Sequence, residues 1–295
     1  MNAKIDVSII IVNYNTKQLL ANCIQSIYGQ TDKIYYEVIV VDNASSDGSE
    51  EYIRLQFPNV IWINSRENIG FGRANNLGVS QATGKYLFLL NSDTILKNNA
   101  ILMFYQYMES YAKIDKIGAI GCWLLDNGDN LNFSCGEFPT PRSEFSYIWK
   151  KIVKRKPMAL ATKDVDFITG ADLFLPKDVF RKMGGFDSNI FMYYEETDLQ
   201  YRMTKSNLKR RIIMGPKIVH LEGGSFIKKG LSFNRFMMSQ TSFNYYIRKH
   251  YSGFAYYWFR VSLITIRLLL FITTDWSIKE KLKAYMLVLK GKRKA

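Results

Sequence analysis

Asn91, Ser92 and Asp93 stand directly behind an unbroken apolar run, Tyr86-Leu87-Phe88-Leu89-Leu90. Such a run reads as a strand buried on both faces, the kind found in parallel sheets. In open α/β sheets, ligands bind just beyond the carboxyl ends of the strands. A carboxylate at Asp93 is therefore placed to hold magnesium or manganese against a diphosphate, because such ions take hard oxygen ligands and share them with phosphates. The plainer reading is that Asn91 and Asp93 turn the chain and cap the next helix. A second acidic centre, Glu195-Glu196-Thr197-Asp198, precedes Arg202; the i,i+4 spacing of Asp198 and Arg202 predicts a structural salt bridge.

The elements that position these residues alternate. Val7 to Val12 reads as a strand, and Thr16 to Tyr28 carries a helical stripe of Leu19, Leu20, Cys23, Ile24 and Ile27. Val38 to Val41 is a second strand, ending at Asp42, and Asp47 with Glu50 reads as a capping pair for the helix that follows. Val60 to Ile63, a helix over Gly72 to Ala82, and a strand over Lys85 to Leu90 complete the series. Repeated βαβ units imply a right-handed, mostly parallel sheet with helices on both faces. Four polar clusters then fall on one sheet edge: Asn13-Tyr14-Asn15, Asp42-Asn43, Asn68-Ile69-Gly70 and Asn91-Ser92-Asp93. Such an edge can hold a base, a ribose and a metal-bound diphosphate side by side.

The second half is less regular. Val165 to Leu175 is apolar around Gly170-Ala171-Asp172, and Gly184-Gly185-Phe186-Asp187 is a turn. His220, one of two histidines, follows a short strand at Ile218-Val219, where a lone histidine by itself reads as a packed core residue.

Composition narrows the classes. The chain has 295 residues, 47% hydrophobic and 15% aromatic, enough for one large domain with an appendage. Cys23, Cys122 and Cys135 show neither a disulfide framework nor zinc spacing, which fits a reducing compartment. Met1 to Asp6 leads straight into a strand, so no signal peptide is expected. The formal net charge is +14, and seven Lys or Arg lie between Ser277 and Ala295 against the single acid Glu280. Such a tail suits nucleic acid or an anionic membrane surface. Basic residues here cluster beyond a hydrophobic helix rather than interleaving with aromatics, which argues against nucleic acid.

Phe254 to Ile272 is nearly all apolar except for Arg260 and Arg267, seven apart and so on one helical face. Two central charges make a bilayer span costly. The sequence predicts a helix lying in the interface with its arginines at headgroup level, the competing possibility being a helix buried against the catalytic domain.

Several segments together resemble a known family. Val7 to Asn15, Val40-Val41-Asp42-Asn43-Ala44-Ser45-Ser46-Asp47-Gly48, Asn91-Ser92-Asp93, Gly184-Gly185-Phe186-Asp187, Tyr194 to Leu199 and His220-Leu221-Glu222-Gly223-Gly224-Ser225 are similar, in this order, to the GT-A glycosyltransferases of family 2. The likeness covers about residues 5 to 230. Asn68-Ile69-Gly70-Phe71-Gly72, Cys135 to Thr140 and Phe191-Met192-Tyr193-Tyr194 resemble bacterial rhamnosyltransferases of surface-polysaccharide assembly in particular.

The resemblance implies an α/β GT-A catalytic domain over 1–250, Rossmann-like, with a membrane-associating helical segment over 251–295. It implies an inverting, Mn2+- or Mg2+-dependent transfer from a nucleotide-diphosphate sugar, dTDP-rhamnose or else a UDP-hexose. The acceptor it implies is a lipid-linked saccharide at the inner face of the cell membrane. Asp93 and His220 are the expected metal residues. Asn13, Tyr14, Asp42, Asn43, Asn68, Gly70, Arg73, Asn91 and Ser92 are expected around the donor nucleotide. Arg73 would reach the diphosphate, unless it is simply an exposed helix arginine. Asn91 stands where the family usually has Asp, which lowers the charge of the site. Glu195 and Glu196 occupy the acidic pair, with Glu196 taken as general base and Glu195 as its alternative. A non-catalytic nucleotide-sugar-binding protein is the other class, and a complete acidic pair argues against it.

Overall fold

The computed structural model describes residues 4–144, 160–221, 232–268 and 274–290. Strands β1 (Val7–Asn13), β2 (Tyr36–Asp42), β3 (Ile61–Asn64) and β4 (Tyr86–Asn91) pair in parallel in the order β3-β2-β1-β4. β10 (Asp172–Pro176) runs antiparallel beside β4, followed by β6 (Ile117–Cys122), β11 (Lys209–Ile213) and β8 (Lys163–Val165). Six of these eight strands share one direction, and β10 and β8 oppose it. Two small ribbons stand outside: β5 (Thr94–Leu96) with β12 (Ile218–His220), and β7 (Cys135–Gly136) with β9 (Phe167–Ile168).

The apolar runs are continuous because both sheet faces are covered. Val7, Ile9 and Ile11 of β1 pack with Leu20, Ile24 and Ile27 of α1 (Lys17–Gln30) and with Phe104 of α4 (Ala100–Tyr111). Ile10, pointing the other way, joins Val79 of α3 (Phe71–Gln81), Phe180 of α5 (Lys177–Lys182) and Leu199 and Met203 of α6 (Glu195–Lys205). Gly78 lets α3 lie close on the sheet: a Cβ there would stand 2.6 Å from Ile10 Cγ2 and 3.0 Å from Val41 Cγ2.

Helix α2 (Ser49–Gln56) starts differently from the expected capping pair. Gly48 takes the N-cap position, in left-handed conformation. Asp47 Oδ1 accepts from the Ser49 N–H and Oδ2 from the Lys17 N–H, so one carboxylate caps two helices. Glu50 turns away to Arg54 and Asn64 instead of closing a reciprocal box.

A helical layer follows: α7 (Phe233–His250), α8 (Gly253–Arg267) and α9 (Ile278–Lys290). Phe236, Phe243, Tyr246 and Ile247 of α7 share one core with Phe259 and Leu263 of α8 and with Ala284 and Val288 of α9. The expected headgroup position of the arginines is overturned. Arg260 is buried, donating to Asn244 Oδ1 at 3.0 Å and to the Val288 and Leu289 carbonyls that end α9. Arg267 donates to Gln240 Oε1 and Glu144 Oε2. The arginines face inward because they satisfy carbonyls and amides between helices, where leaving such groups bare is costly. No helix among the described residues is long and apolar enough to cross a membrane. Residues 269–272 of the apolar stretch, Glu222 to Ser225 of the motif after His220, and the basic residues beyond 290 lie outside the described residues.

Candidate active site

The four polar clusters meet on one edge and bond to each other. Asn13 Nδ2, at the end of β1, donates to Asp42 Oδ1 at the end of β2 (2.8 Å) and to Ser45 Oγ (3.0 Å). Asp42 Oδ2 accepts from the Ser45 N–H, closing the turn in which Ala44 holds a φ of 65°. Asn43 Nδ2 donates to Asn68 Oδ1 at 2.8 Å, and Asn43 Oδ1 accepts from the Ile69 N–H. Thr16 Oγ1 links Asn13 Oδ1 to Ser92 Oγ. Tyr14 is exposed beside this net. Arg73 Nε donates to the Ser188 carbonyl at 2.6 Å, so one end of its guanidinium is held by the loop before the acid pair.

The β5–β12 ribbon explains how His220 reaches Asp93 across 127 residues of sequence. His220 pairs with Thr94 in antiparallel register, and the Leu221 N–H donates to the Asp93 carbonyl at 2.9 Å. His220 Nε2 then lies 3.3 Å from Asp93 Oδ1 and 3.5 Å from Asn91 Nδ2. A carboxylate and an imidazole at this separation fit a divalent ion, for which Asp93 and His220 would supply an oxygen and a nitrogen ligand. Among the described residues there is no group of three or more His, Cys, Asp or Glu side chains placed for a metal.

The acid pair opens α6, after Tyr193 and Tyr194 with φ of 66° and 69°. Two consecutive left-handed non-glycine residues are strained and need outside support. The Tyr194 ring stacks on Phe243 of α7 (centroids 5.0 Å), and Ser242 Oγ donates to the Met192 carbonyl at 2.7 Å. Gly70 supplies the other support. Its φ is +86°, and a Cβ on it would stand 2.3 Å from the Phe191 carbonyl oxygen, which accepts from the Phe71 N–H at 3.0 Å. The glycine expected among donor-binding residues thus lets the acid-bearing loop rest on the Asn68–Gly70 loop.

Glu195 and Glu196 differ in environment. Glu195 is buried, with Oε2 lacking a hydrogen-bond partner among the described residues; burial, then the charge of Glu196, pushes its carboxyl well above the ordinary range. Glu196 keeps some exposure and accepts from Thr197 Oγ1 at 3.2 Å; burial raises it as well. Asp198, fully buried, bonds Arg202 as expected (2.9 and 2.7 Å), and sequence reasoning missed the rest of its shell. His250 Nε2 and Lys249 Nζ both lie 2.7 Å from Asp198 Oδ1, and Lys249 also reaches Asp187 Oδ2 at 2.6 Å. Burial works against ionisation of Asp198, yet His250, Arg202 and Lys249 outweigh it and hold its carboxyl below the ordinary range. This cluster ties α6, and with it the acid pair, to the end of α7.

Asp172 begins β10 opposite Leu90, inside the edge. Burial pushes it up to about 7, against the Cys122 N–H that donates to its Oδ2 at 2.7 Å. The three cysteines are free thiols, and burial pushes Cys23 up to about 12.

Comparison with known proteins agrees with this architecture. The family model "Glycosyl transferase family 2" matches residues 8–184. The chain belongs to this family. It is 26% identical over 257 residues to the rhamnosyltransferase WbbL of Escherichia coli, covering 82% of this chain and 93% of that one. An uncharacterized glycosyltransferase of Methanocaldococcus jannaschii is 30% identical over 152 residues, 50% of this chain and 51% of that one. An N-acetylglucosaminyl-diphospho-decaprenol L-rhamnosyltransferase of Mycobacterium tuberculosis is 21% identical, covering 62% and 66%. The chain spans 51%, 63% and 35% of the lengths of the first three curated relatives. Among solved structures, GalNAc-T7 with UDP, GalNAc and Mn2+ superposes with a TM-score of 0.63 at 15% identity, covering 98% of this chain and 55% of that one. Staphylococcus aureus TarS gives 0.54 at 14%, covering 97% and 71%. The fold is accordingly GT-A, an α/β architecture with a mostly parallel central sheet.

Proposed function

We propose that this glycosyltransferase inverts the sugar it moves, taking L-rhamnose from dTDP-rhamnose to a polyprenyl-diphosphate-linked saccharide at the inner face of the cell membrane. The observation that carries the reading is the shared edge: Asp93 and His220 converge at 3.3 Å beside the Asn13–Asp42 net, and Gly70 seats the acid-bearing loop on that edge. Likeness over 93% of a rhamnosyltransferase supports the donor, and the lipid-linked acceptor named for the mycobacterial relative supports the acceptor.

Asp42, Asn13, Asn43 and Asn68 bind and orient the base and ribose, Tyr14 lies along the nucleotide, and Ser92 and Asn91 border the diphosphate. Arg73 approaches it from α3. Asp93 and His220 would hold Mn2+ or Mg2+, which when bound supplies counter-charge for the departing diphosphate. Glu196 accepts the proton of the acceptor hydroxyl as that oxygen bonds to the anomeric carbon and the bond to the nucleoside diphosphate breaks. Its residual exposure suits this better than the buried carboxyl of Glu195, which favours the neutral form. Attack from the side opposite the leaving group inverts the centre.

The test is a panel of nucleotide sugars assayed for hydrolysis and transfer with Mn2+, Mg2+ or excess EDTA. The account expects metal-dependent turnover with dTDP-rhamnose ahead of UDP-hexoses. Preference for a UDP-hexose would reassign the donor, and binding without turnover of any donor would make the chain a nucleotide-sugar-binding protein.

A further inference from the structure

Helix α8 is apolar on two opposite faces, and among the described residues only one of them is covered. Phe259, Leu263 and Ile266 point into the core with α7 and α9. Phe254, Tyr257, Trp258, Val261 and Leu268 stand on the far side, with Phe254 83% and Trp258 57% exposed. The spacing i, i+3, i+4, i+7, i+14 makes them a single stripe. Helix α9 repeats the pattern: Ala284, Leu287 and Val288 are buried, while Ile278, Leu282, Met286 and Leu289 line the outside. Lys279, Lys283 and Lys290 form an exposed row beside that outer stripe. A helix that is apolar all round is normally covered on every side, and large exposed apolar stripes mark docking surfaces.

We propose that the outer faces of α8 and α9 insert shallowly into an anionic bilayer surface, with the lysine row against the headgroups. Aromatic and aliphatic side chains on one face with lysines along its border match an interface-lying helix, and the helices are too short and too charged to cross. The inward arginines fit the same arrangement: Arg260 and Arg267 fasten α8 to α7 and α9, leaving the outer face to lipid. The surface is also wired to the chemistry. The Phe243 ring of α7 lies 5.9 Å from the Arg267 guanidinium and, centroid to centroid, 5.0 Å from the ring of Tyr194, one residue before the acid pair. These contacts join α8 to the acid-bearing loop, and their use in presenting a lipid-linked acceptor rests on the function proposed above.

The test is co-sedimentation of the full chain with phosphatidylcholine vesicles, with and without phosphatidylglycerol, at low and high salt. Wild type is expected to sediment with the anionic vesicles and to be released by salt. Lys279→Gln with Lys283→Gln should weaken partitioning about 30-fold, at roughly a kilocalorie per lysine near the surface. Trp258→Glu with Val261→Glu should weaken it about 100-fold or more, with donor hydrolysis and the melting temperature kept. Quenching of tryptophan emission by brominated acyl chains should fall in Trp258→Phe. Equal sedimentation of wild type and both double variants, or wild type left in the supernatant, would overturn the proposal. So would a dimer in size-exclusion chromatography that Trp258→Glu with Val261→Glu splits, because a second copy would then cover the face. Vesicle binding with no donor turnover would remove the transferase mechanism and leave this surface standing.

Discussion

Replacing Asp198 should loosen the support of the acid pair more than any other single polar change. Its carboxylate is fully buried and receives Arg202 twice, at 2.9 and 2.7 Å, and His250 and Lys249 at 2.7 Å each. Asp198→Ala leaves Arg202 and Lys249 without their shared counter-charge and His250 Nε2 without its partner, around a position that is itself fully buried. Removing one partner of a buried ionic cluster costs about 3–5 kcal/mol. At about 2–4 °C per kcal/mol for a domain of this size, the melting temperature should fall by about 6–20 °C. Asp198→Asn keeps the shape and an acceptor but not the charge, and should cost about half as much. The sign of the pH dependence follows from the lowered carboxyl. Its stabilisation is full above the ordinary carboxylate range and is lost as pH falls through the lower folded-state value. The gap between wild type and Asp198→Asn should therefore be wide at pH 7 and close progressively as the solution is acidified below about pH 4. Circular-dichroism melts of the three proteins across that range are the assay. A melting temperature for Asp198→Ala within a degree of wild type, or a gap that widens on acidification, would refute the reasoning.

Asp93→Ala should abolish metal-stimulated donor turnover and weaken Mn2+ binding by calorimetry, because half of the proposed Asp93–His220 metal pair is gone. Gly70→Ala should destabilise by about 2–4 kcal/mol, read by denaturant midpoint, since it adds a left-handed non-glycine residue and a clash with the Phe191 carbonyl. The raised carboxyl of Asp172, at about 7, means its burial penalises the folded state increasingly as pH rises from the unfolded value through 7. Asp172→Asn should therefore gain more stability, relative to wild type, at pH 8 than at pH 5 in paired melts.

The polar edge was legible because apolar runs ending in polar pairs mark parallel strands, and parallel strands align their ends. Asn13, Asp42, Asn43, Asn68 and Ser92 form one hydrogen-bonded net as that logic requires. His220 was legible only through its motif: the contact with Asp93 is made by a three-residue ribbon that carries no periodic signal. Lys249 and His250 passed unnoticed, since partners that meet Asp198 from the end of a distant helix leave no spacing to read. Arg260 and Arg267 were misplaced for a related reason. Their spacing fixes a shared helical face, and only the carbonyls of Val288 and Leu289 and the amides of Asn244 and Gln240 decide that this face points inward. The Asp47–Glu50 pattern failed locally because Asp47 serves two helix starts and Glu50 finds Arg54 and Asn64 closer at hand.

The central claim is that Glu196 takes the acceptor proton on an edge where Asp42, Asp93 and His220 hold the donor. The transfer rates and donor affinities of Glu196→Gln and Glu195→Gln, measured side by side across pH, test it most directly. The account predicts a fall of about 10²–10⁴-fold in transfer for Glu196→Gln with donor affinity kept, and a smaller loss for Glu195→Gln. Wild type should also lose transfer on acidification below a value raised above the ordinary glutamate range, a limb that Glu196→Gln lacks. Near-normal transfer by Glu196→Gln, with its acid limb intact, would contradict the account.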